Sequence, residues 1–273
     1  MSLSTHGLFE ALVAVHIAAG APGLVGFWVP TFSKKGGPSH RLWGRIFAVS
    51  MLIAGAAATA MATMSVLAPM TTHPHLVGHA EFGDPQVVRA IFGWMMVYLA
   101  ILTINLAWYG WSCVRNRGDH AKNRAPLNMA LQAILFVAAL NCAVRGVMAG
   151  QLLMVGISFV GFATVATNLW FMLKLKPRPV EWLLEHIKGI VGTGISVYTA
   201  FFAFGAVRLL PEAALTPALW SVPLVVGLSL IIYHQQKVLR RFRRPAAASA
   251  PPGSIQTGPT GPTRTAPTPS PAE

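Results

Sequence analysis

The sequence predicts an all-α integral membrane protein, a bundle of seven transmembrane helices with the N-terminus outside and the C-terminus inside. Of its 273 residues 54% are hydrophobic and only 11% are charged, whereas a soluble domain carries about 25% charged residues. Long apolar segments alternate with clusters of Lys and Arg, so that every second loop is basic. Because basic loops stay on the cytoplasmic side during insertion, one topology follows. The clusters are Lys34, Lys35, Arg41, Arg45; Arg115, Arg117, Lys122, Arg124; Lys174, Lys176, Arg178, Lys188; and Lys237, Arg240, Arg241, Arg243, Arg244.

Seven apolar segments reach the ~20 residues that a helix needs to cross the hydrocarbon core. The fourth and fifth are separated only by Ala149, Gly150 and Gln151. Arg145 indicates a turn there, because an Arg near a helix end can extend to the membrane interface. The predicted spans run from about Gly7 to Phe32, Leu42 to Leu67, Val87 to Cys113, Ala125 to Met148, Leu152 to Leu173, His186 to Leu209 and Leu215 to Gln236.

The chain divides into a membrane domain, residues 1–244, and a C-terminal tail, residues 245–273. The tail consists largely of Pro, Ala, Ser, Thr and Gly and has no aromatic residue. Such a composition cannot bury enough apolar surface to fold, which predicts a disordered cytoplasmic tail. At the other terminus the first Lys or Arg is Lys34. The first apolar segment therefore lacks the positive start of a cleaved signal peptide.

The net charge of +13 is explained by a membrane rather than by nucleic acid. The basic residues flank the apolar spans, where anionic lipid headgroups are their natural partners. This arrangement predicts a multi-pass protein of the bacterial inner membrane. The two cysteines, Cys113 and Cys142, fall in or at the end of apolar spans and are expected to be buried free thiols rather than a disulfide.

A first group of candidate residues lies at the cytoplasmic ends of three helices. His40, Arg41 and Arg45 begin the second helix, His186 lies at the start of the sixth, and His234 lies near the end of the seventh. Three histidines from three helices could bind a metal, a heme or a quinone-like redox partner. The alternative is that they contact headgroups and helix ends.

Other polar residues are expected in the same half of the membrane. Glu185 is a predicted ion-pair partner of Arg41 or Arg45. Asn105 and Asn168, in the third and fifth helices, are predicted to project into this half. Ionisable residues in a span are costly and usually face the bundle interior or a cavity.

A second group is predicted at the depth of His16 in the outer half. Tyr98, Asn141 and Tyr198 lie at a matching depth if each residue adds 1.5 Å along its helix, and Arg145 lies one turn further out. A polar cavity open to the outside would suit a transporter or channel for a small solute. The alternative is one hydrogen bond from His16 to a neighbouring helix.

A third group is the outer loop with His73, His75 and His79, followed by Glu81 and Asp84. Histidines and carboxylates at this spacing have metal-ligand chemistry. The sequence therefore suggests a metal site in this loop, although no β-strand is predicted beside it, as a metal site of the β-barrel kind would need.

Motifs for familiar enzyme classes are missing. The chain has no Gly-rich phosphate loop after a strand, no serine elbow and no Cys-x-x-Cys pair. Acidic residues are also absent from the interiors of the predicted spans, where a proton-driven carrier often has one. The sequence thus favours a non-enzymatic membrane protein, with a redox cofactor site, a transport site or a non-catalytic role through loops and tail as alternatives. It identifies no particular cofactor, small-molecule partner or oligomeric state.

The stretch from His16 through the start of the second helix resembles a group of bacterial predicted multi-pass membrane proteins of unknown function. That group has a His in the first helix and a Lys-Gly…His-Arg-x-x-Gly-Arg motif before the second. The sixth helix adds a partial similarity from Trp182 to Phe201. The resemblance implies a polytopic helical fold, and it implies no activity. The residues to which it points are His16, His40, Arg41, Arg45 and His186.

Overall fold

A computed structural model of the chain describes residues 4–80, 82–202 and 217–243. The predicted tail, Glu81 and the end of the predicted sixth span lie outside these residues. Seven long helices account for most of the described chain, and the described parts of the loops between them contain only short helical turns. The long helices are α1 (Thr5–Phe32), α2 (Pro38–Leu67), α3 (Pro85–Arg115), α4 (Pro126–Met148), α5 (Leu152–Met172), α6 (Glu181–Ala200) and α7 (Pro217–Arg243).

The all-α fold class is confirmed for the described residues, which contain no strand. Among them, six helices are long and apolar enough to cross a membrane: α1 to α5, and Ser221–Phe242 within α7. The helix α6 is long but carries Glu181, Glu185 and Lys188 in its first half. The chain therefore has the architecture of a multi-pass membrane protein, with six spans supported by length and composition.

The helix α3 lies at the centre of the bundle. It packs against α2, α4 and α6, while α1 packs on α2, α5 on α4, and α7 on α6. The side chains of Tyr98, Leu135 and Met154 are fully buried where α3, α4 and α5 meet. Cys113 and Cys142 are also buried and both are free thiols, as predicted.

A tight turn joins α4 to α5, as the sequence predicts. Gly150 has a φ of +64°, a left-handed conformation that glycine adopts without a steric penalty. The amide of Gln151 donates to the carbonyl of Gly146 across this turn, at 2.8 Å. The two helices therefore form an antiparallel hairpin.

The helices α3 and α6 approach each other closely at two glycines. A Cβ atom added to Gly189 would lie 2.6 Å from the Cα atom of Gly110, closer than any real contact. Close approach at small residues is a common way for helices to associate in lipid. His186 lies on α6 one turn before Gly189, and this crossing therefore positions it against the α3 backbone.

Candidate functional site

Two histidines meet at the basic end of the bundle, defined here as the end where the four Lys/Arg clusters lie. His40 is in the first turn of α2 and His186 is in the second turn of α6. Their ring centres are 6.4 Å apart and the ring planes are inclined at 72°. The structure thus brings together two residues that are 146 positions apart in the sequence.

Each of these rings is held by a backbone carbonyl. The Nδ1 atom of His40 lies 3.1 Å from the carbonyl oxygen of Pro30, and that of His186 lies 2.9 Å from the carbonyl oxygen of Gly110. A carbonyl oxygen only accepts, so Nδ1 carries the proton in both rings. In a neutral ring this leaves Nε2 with a free lone pair. Histidines that ligate metals are oriented by the same kind of second hydrogen bond.

The end of α1 explains why a carbonyl is free for His40. A helix leaves its last carbonyls without helical partners, and α1 ends at Phe32. Lys35 folds back so that its Nζ atom donates to the carbonyls of Pro30, at 2.8 Å, and Thr31, at 2.5 Å. Lys35 and His40 together therefore cap this helix end.

Further positive charge surrounds the pair. Lys35 and Lys237 lie close enough to act on each other and on His234, which is partly buried on α7. Partial burial, and then the positive charge of Lys237, lower the pKa of Lys35. In the described part of the chain no Asp or Glu forms an ion pair with any of these groups. Such a site favours an anionic partner.

Arg41 and Arg45 take a different position. Both side chains are exposed on the outward face of α2, beside the histidine pair rather than within it. Their guanidinium groups are thus available to the membrane interface, where basic side chains attract anionic headgroups.

Glu185 does not pair with Arg41 or Arg45, contrary to the expectation from sequence. Its carboxylate accepts a hydrogen bond from the Tyr109 hydroxyl at 2.6 Å and forms an ion pair with Lys188 on its own helix. The prediction was wrong because Glu185 and His186 point to different sides of α6. Adjacent residues on a helix do not share a face.

The asparagines predicted in this half form a buried amide cluster. Nδ2 of Asn168 donates to Asn105 at 3.3 Å and to Gln132 at 3.2 Å, and Asn105 donates to the carbonyl of Leu131 at 3.0 Å. All three amides are buried. The cluster joins α3, α4 and α5, and its role is explained by helix association in lipid. Gln132 was not predicted from the sequence.

The five residues predicted as an outer polar layer lie in three separate places. His16 contacts the carbonyl of Ala54 on α2, with Nδ1 at 2.9 Å. The Tyr198 hydroxyl donates to the carbonyl of Leu24 on α1 at 2.7 Å. The remaining three, Tyr98, Asn141 and Arg145, lie along a groove between α3 and α4.

The loop histidines are held by apolar and aromatic neighbours. His73 packs against the rings of Phe9, at 5.3 Å between centres, and Phe92, at 4.9 Å, and its Nε2 lies 3.0 Å from the Ser65 hydroxyl. His75 lies beside it, at 5.9 Å between ring centres, and His79 packs on Phe82 instead.

These contacts leave no metal-ligand set in the described loop. Asp84 caps the start of α3 by accepting from the amide of Gln86 at 2.8 Å. Within residues 4–80, 82–202 and 217–243, no three His, Cys, Asp or Glu side chains converge as metal ligands. Glu81 lies outside those residues.

Sequence reasoning missed two parts of the site. Lys35 and Lys237 were recognised as topology signals, yet their approach to each other depends on how α7 packs beside the α1–α2 loop. Trp94, beside Arg145, was also missed, because a Trp in an apolar span gives no polar signal.

Comparison with known proteins adds no relative. No protein-family model, curated protein or solved structure matches the chain. Functional inference therefore depends on the geometry of the sites themselves.

Proposed function

We propose that this multi-pass membrane protein binds one heme between His40 and His186 and takes part in electron transfer. The observation that carries the proposal is the geometry of the histidine pair. The two rings, on different helices, have their centres 6.4 Å apart, and each uses Nδ1 for a backbone carbonyl. Both Nε2 atoms are therefore free to ligate.

The residues present fit a metal held by two imidazoles. If both Nε2 atoms pointed at one metal, two metal–nitrogen bonds of about 2 Å each, plus the distance from each nitrogen to its ring centre, would give about 6 Å between ring centres. The observed separation matches that value. Within the described residues no third ligand converges on the pair. His40 and His186 would be enough to hold a heme, whose porphyrin would supply the remaining ligands of the iron.

The positive charges around the histidine pair are complementary to the carboxylates of a heme. Lys35 and Lys237 would bind the two propionates, since ammonium groups donate to carboxylates, and His234 beside them would offer a further N–H donor. The carbonyls of Pro30 and Gly110 hold both rings in the ligating tautomer and raise the basicity of Nε2. When bound, heme supplies one-electron chemistry, whose potential depends on the axial ligands and their hydrogen bonds.

We also propose seven spans, with the basic end in the cytoplasm of a bacterium and the N-terminus outside. The packing of α6 between α3 and α7 supports a seventh span, because a helix beside two spanning helices shares their environment. The basic clusters at one end support the orientation. Exposed Arg41 and Arg45 would then meet anionic headgroups of the inner membrane.

Hemin titration of the purified full-length chain in detergent tests the cofactor. We expect saturation at one hemin per chain, with a Soret band of a six-coordinate heme. His40→Ala and His186→Ala should each lose that spectrum. His6→Ala, which removes an exposed histidine near the N-terminus, is the matched control and should retain it.

Three outcomes would refute the assignment. The first is no saturable binding by the parent. The second is a six-coordinate spectrum that survives both His40→Ala and His186→Ala. The third is a spectrum abolished by His16→Ala alone, which would assign the ligand to the other half of the membrane.

A further inference from the structure

A groove lies between α3 and α4, toward the end of the bundle opposite the basic end. It consists of two adjoining cavities of ≈ 400 Å³ and ≈ 390 Å³, which share Val137 and Asn141 in their walls. The walls are otherwise largely apolar, with Val97, Ile101 and Ile134 along the first cavity. Ile134 and Val137 are 48% and 62% exposed, so the groove opens to the surface that faces lipid.

Two polar atoms in this groove lack partners. Nε1 of Trp94 and Oδ1 of Asn141 are buried, and neither has a hydrogen-bond partner among the described residues. An unpaired buried donor or acceptor costs free energy, and a bilayer has no water to satisfy it. Trp94 and Asn141 both line the groove, so its wall combines an apolar surface with two residues whose polar atoms are unsatisfied.

The backbone at Trp94 is unusual as well. Residues Arg89–Met95 form a π-helical turn inside α3. Such turns are rare in helices and are frequent at functional sites. Trp94 lies within this turn.

Arg145 contributes the charge at this groove. It lines the second cavity and lies in the last turn of α4, and its guanidinium carbon is 4.6 Å from the centre of the Trp94 ring. None of the ion pairs within the described residues involves Arg145. An unpaired cation beside a lipid-facing apolar groove is complementary to a ligand with an anionic head and an apolar tail.

We propose that this groove binds one anionic phospholipid. Its phosphate lies on Arg145, and one acyl chain lies along the apolar wall formed by Ile101, Ile134 and Val137. The polar head lies beside Trp94 and Asn141, which line the groove next to Arg145. This site is independent of the histidine pair and of any cofactor there.

Quenching of Trp94 by brominated lipid tests the proposal. The full chain is placed in phosphatidylcholine vesicles containing phosphatidylglycerol, with bromine on the acyl chains of one lipid at a time. Subtracting the Trp94→Phe signal isolates Trp94 from the other tryptophans. We expect brominated phosphatidylglycerol to quench Trp94 roughly fivefold more than the same fraction of brominated phosphatidylcholine, the preference expected for one basic side chain at a membrane surface.

Two variants separate headgroup recognition from general lipid contact. Arg145→Gln should abolish the preference, whereas Arg89→Gln, at the same end but bonded to the carbonyl of Val66 at 2.9 Å, should retain it. If Arg145→Gln does not fold, Val137→Phe fills the groove from its exposed side and should also abolish the preference. Equal quenching by both lipids in the parent would overturn the proposal. So would a preference that survives Val137→Phe, or the retention of a neutral quinone in place of the phospholipid.

Discussion

At the scale of single residues, the histidines differ in what their two ring nitrogens contact. His40 and His186 each use Nδ1 for a carbonyl oxygen, and their ring centres are 6.4 Å apart. His16 also uses Nδ1 for a carbonyl, that of Ala54, but it lies in the other half of the bundle. Of these three histidines, only His40 and His186 lie beside one another, and the proposed heme site depends on that pairing.

His73 predicts a pH-dependent stability for the loop between α2 and α3. Burial, and then the charge of His75, lower the pKa of His73 from 6.5 to about 4. Below pH ~6.5 the His73 ring therefore becomes protonated in the unfolded state but stays neutral in the folded state. The free energy of unfolding consequently falls as the pH drops toward 4. After solvent screening is allowed for, the loss should not exceed about 2 kcal/mol.

The measurement is the melting temperature of the parent between pH 7.5 and 4.5, with His73→Gln as the reference. We expect the difference between the two proteins to shift in favour of the variant as the pH falls. A difference that is constant over this range would contradict the burial of the ring.

At the scale of helices, the crossing of α3 and α6 determines where His186 lies. The Gly110–Gly189 contact lets the two backbones approach. The carbonyl oxygen of the same Gly110 accepts a hydrogen bond from Nδ1 of His186. The sequence does not indicate that Gly110 on α3 and Gly189 on α6 meet, because small residues occur on several helices and their pairing depends on the packing. The partner of His186 therefore could not be predicted.

Gly189→Ala should destabilise the protein because its Cβ would meet the backbone of Gly110, which cannot move aside cheaply. Overpacking of this kind typically costs about 1–3 kcal/mol. Gly156→Ala on α5 is the matched control, since a Cβ there meets nothing within 4 Å. Thermal unfolding followed by size-exclusion chromatography measures both variants. Equal melting temperatures for the two would mean that the helices cross elsewhere.

Helix positions were largely predictable because apolar length and turn residues mark them. The fifth helix begins at Leu152 as predicted, directly after the Gly150 turn. The sixth begins at Glu181 rather than His186, because Glu181 pairs with Lys174 and Arg178 and is thereby buried within the helix. Hydropathy counts Glu181 as a polar residue and therefore assigns it to a loop, although ion pairs with neighbouring residues neutralise its charge within the helix.

At the scale of the whole molecule, the number of spans and the orientation depend on α6. If α6 crosses the membrane, the chain ends lie on opposite sides; if it does not, they lie on the same side. Phosphatase, which is active only after export, can be fused after residues 150, 178, 213 and 245. With seven spans we expect activity at 150 and 213 and none at 178 and 245.

The same fusions distinguish a chain with six spans from one with seven. A chain with six spans would be inactive at 213 and active at 245. A cytoplasmic fluorescent reporter at the same four positions serves as the control, because it should report the reverse pattern. Activity at 178 would contradict the basic end as the cytoplasmic end.

The central claim is that His40 and His186 share one ligand, and electron paramagnetic resonance of the oxidised, hemin-loaded protein tests it most directly. Rings inclined at 72° predict the strongly anisotropic low-spin signal of two nearly perpendicular imidazoles. That signal should disappear in both His40→Ala and His186→Ala and persist in His6→Ala. A high-spin signal in the parent, or a low-spin signal that survives either alanine variant, would contradict the claim.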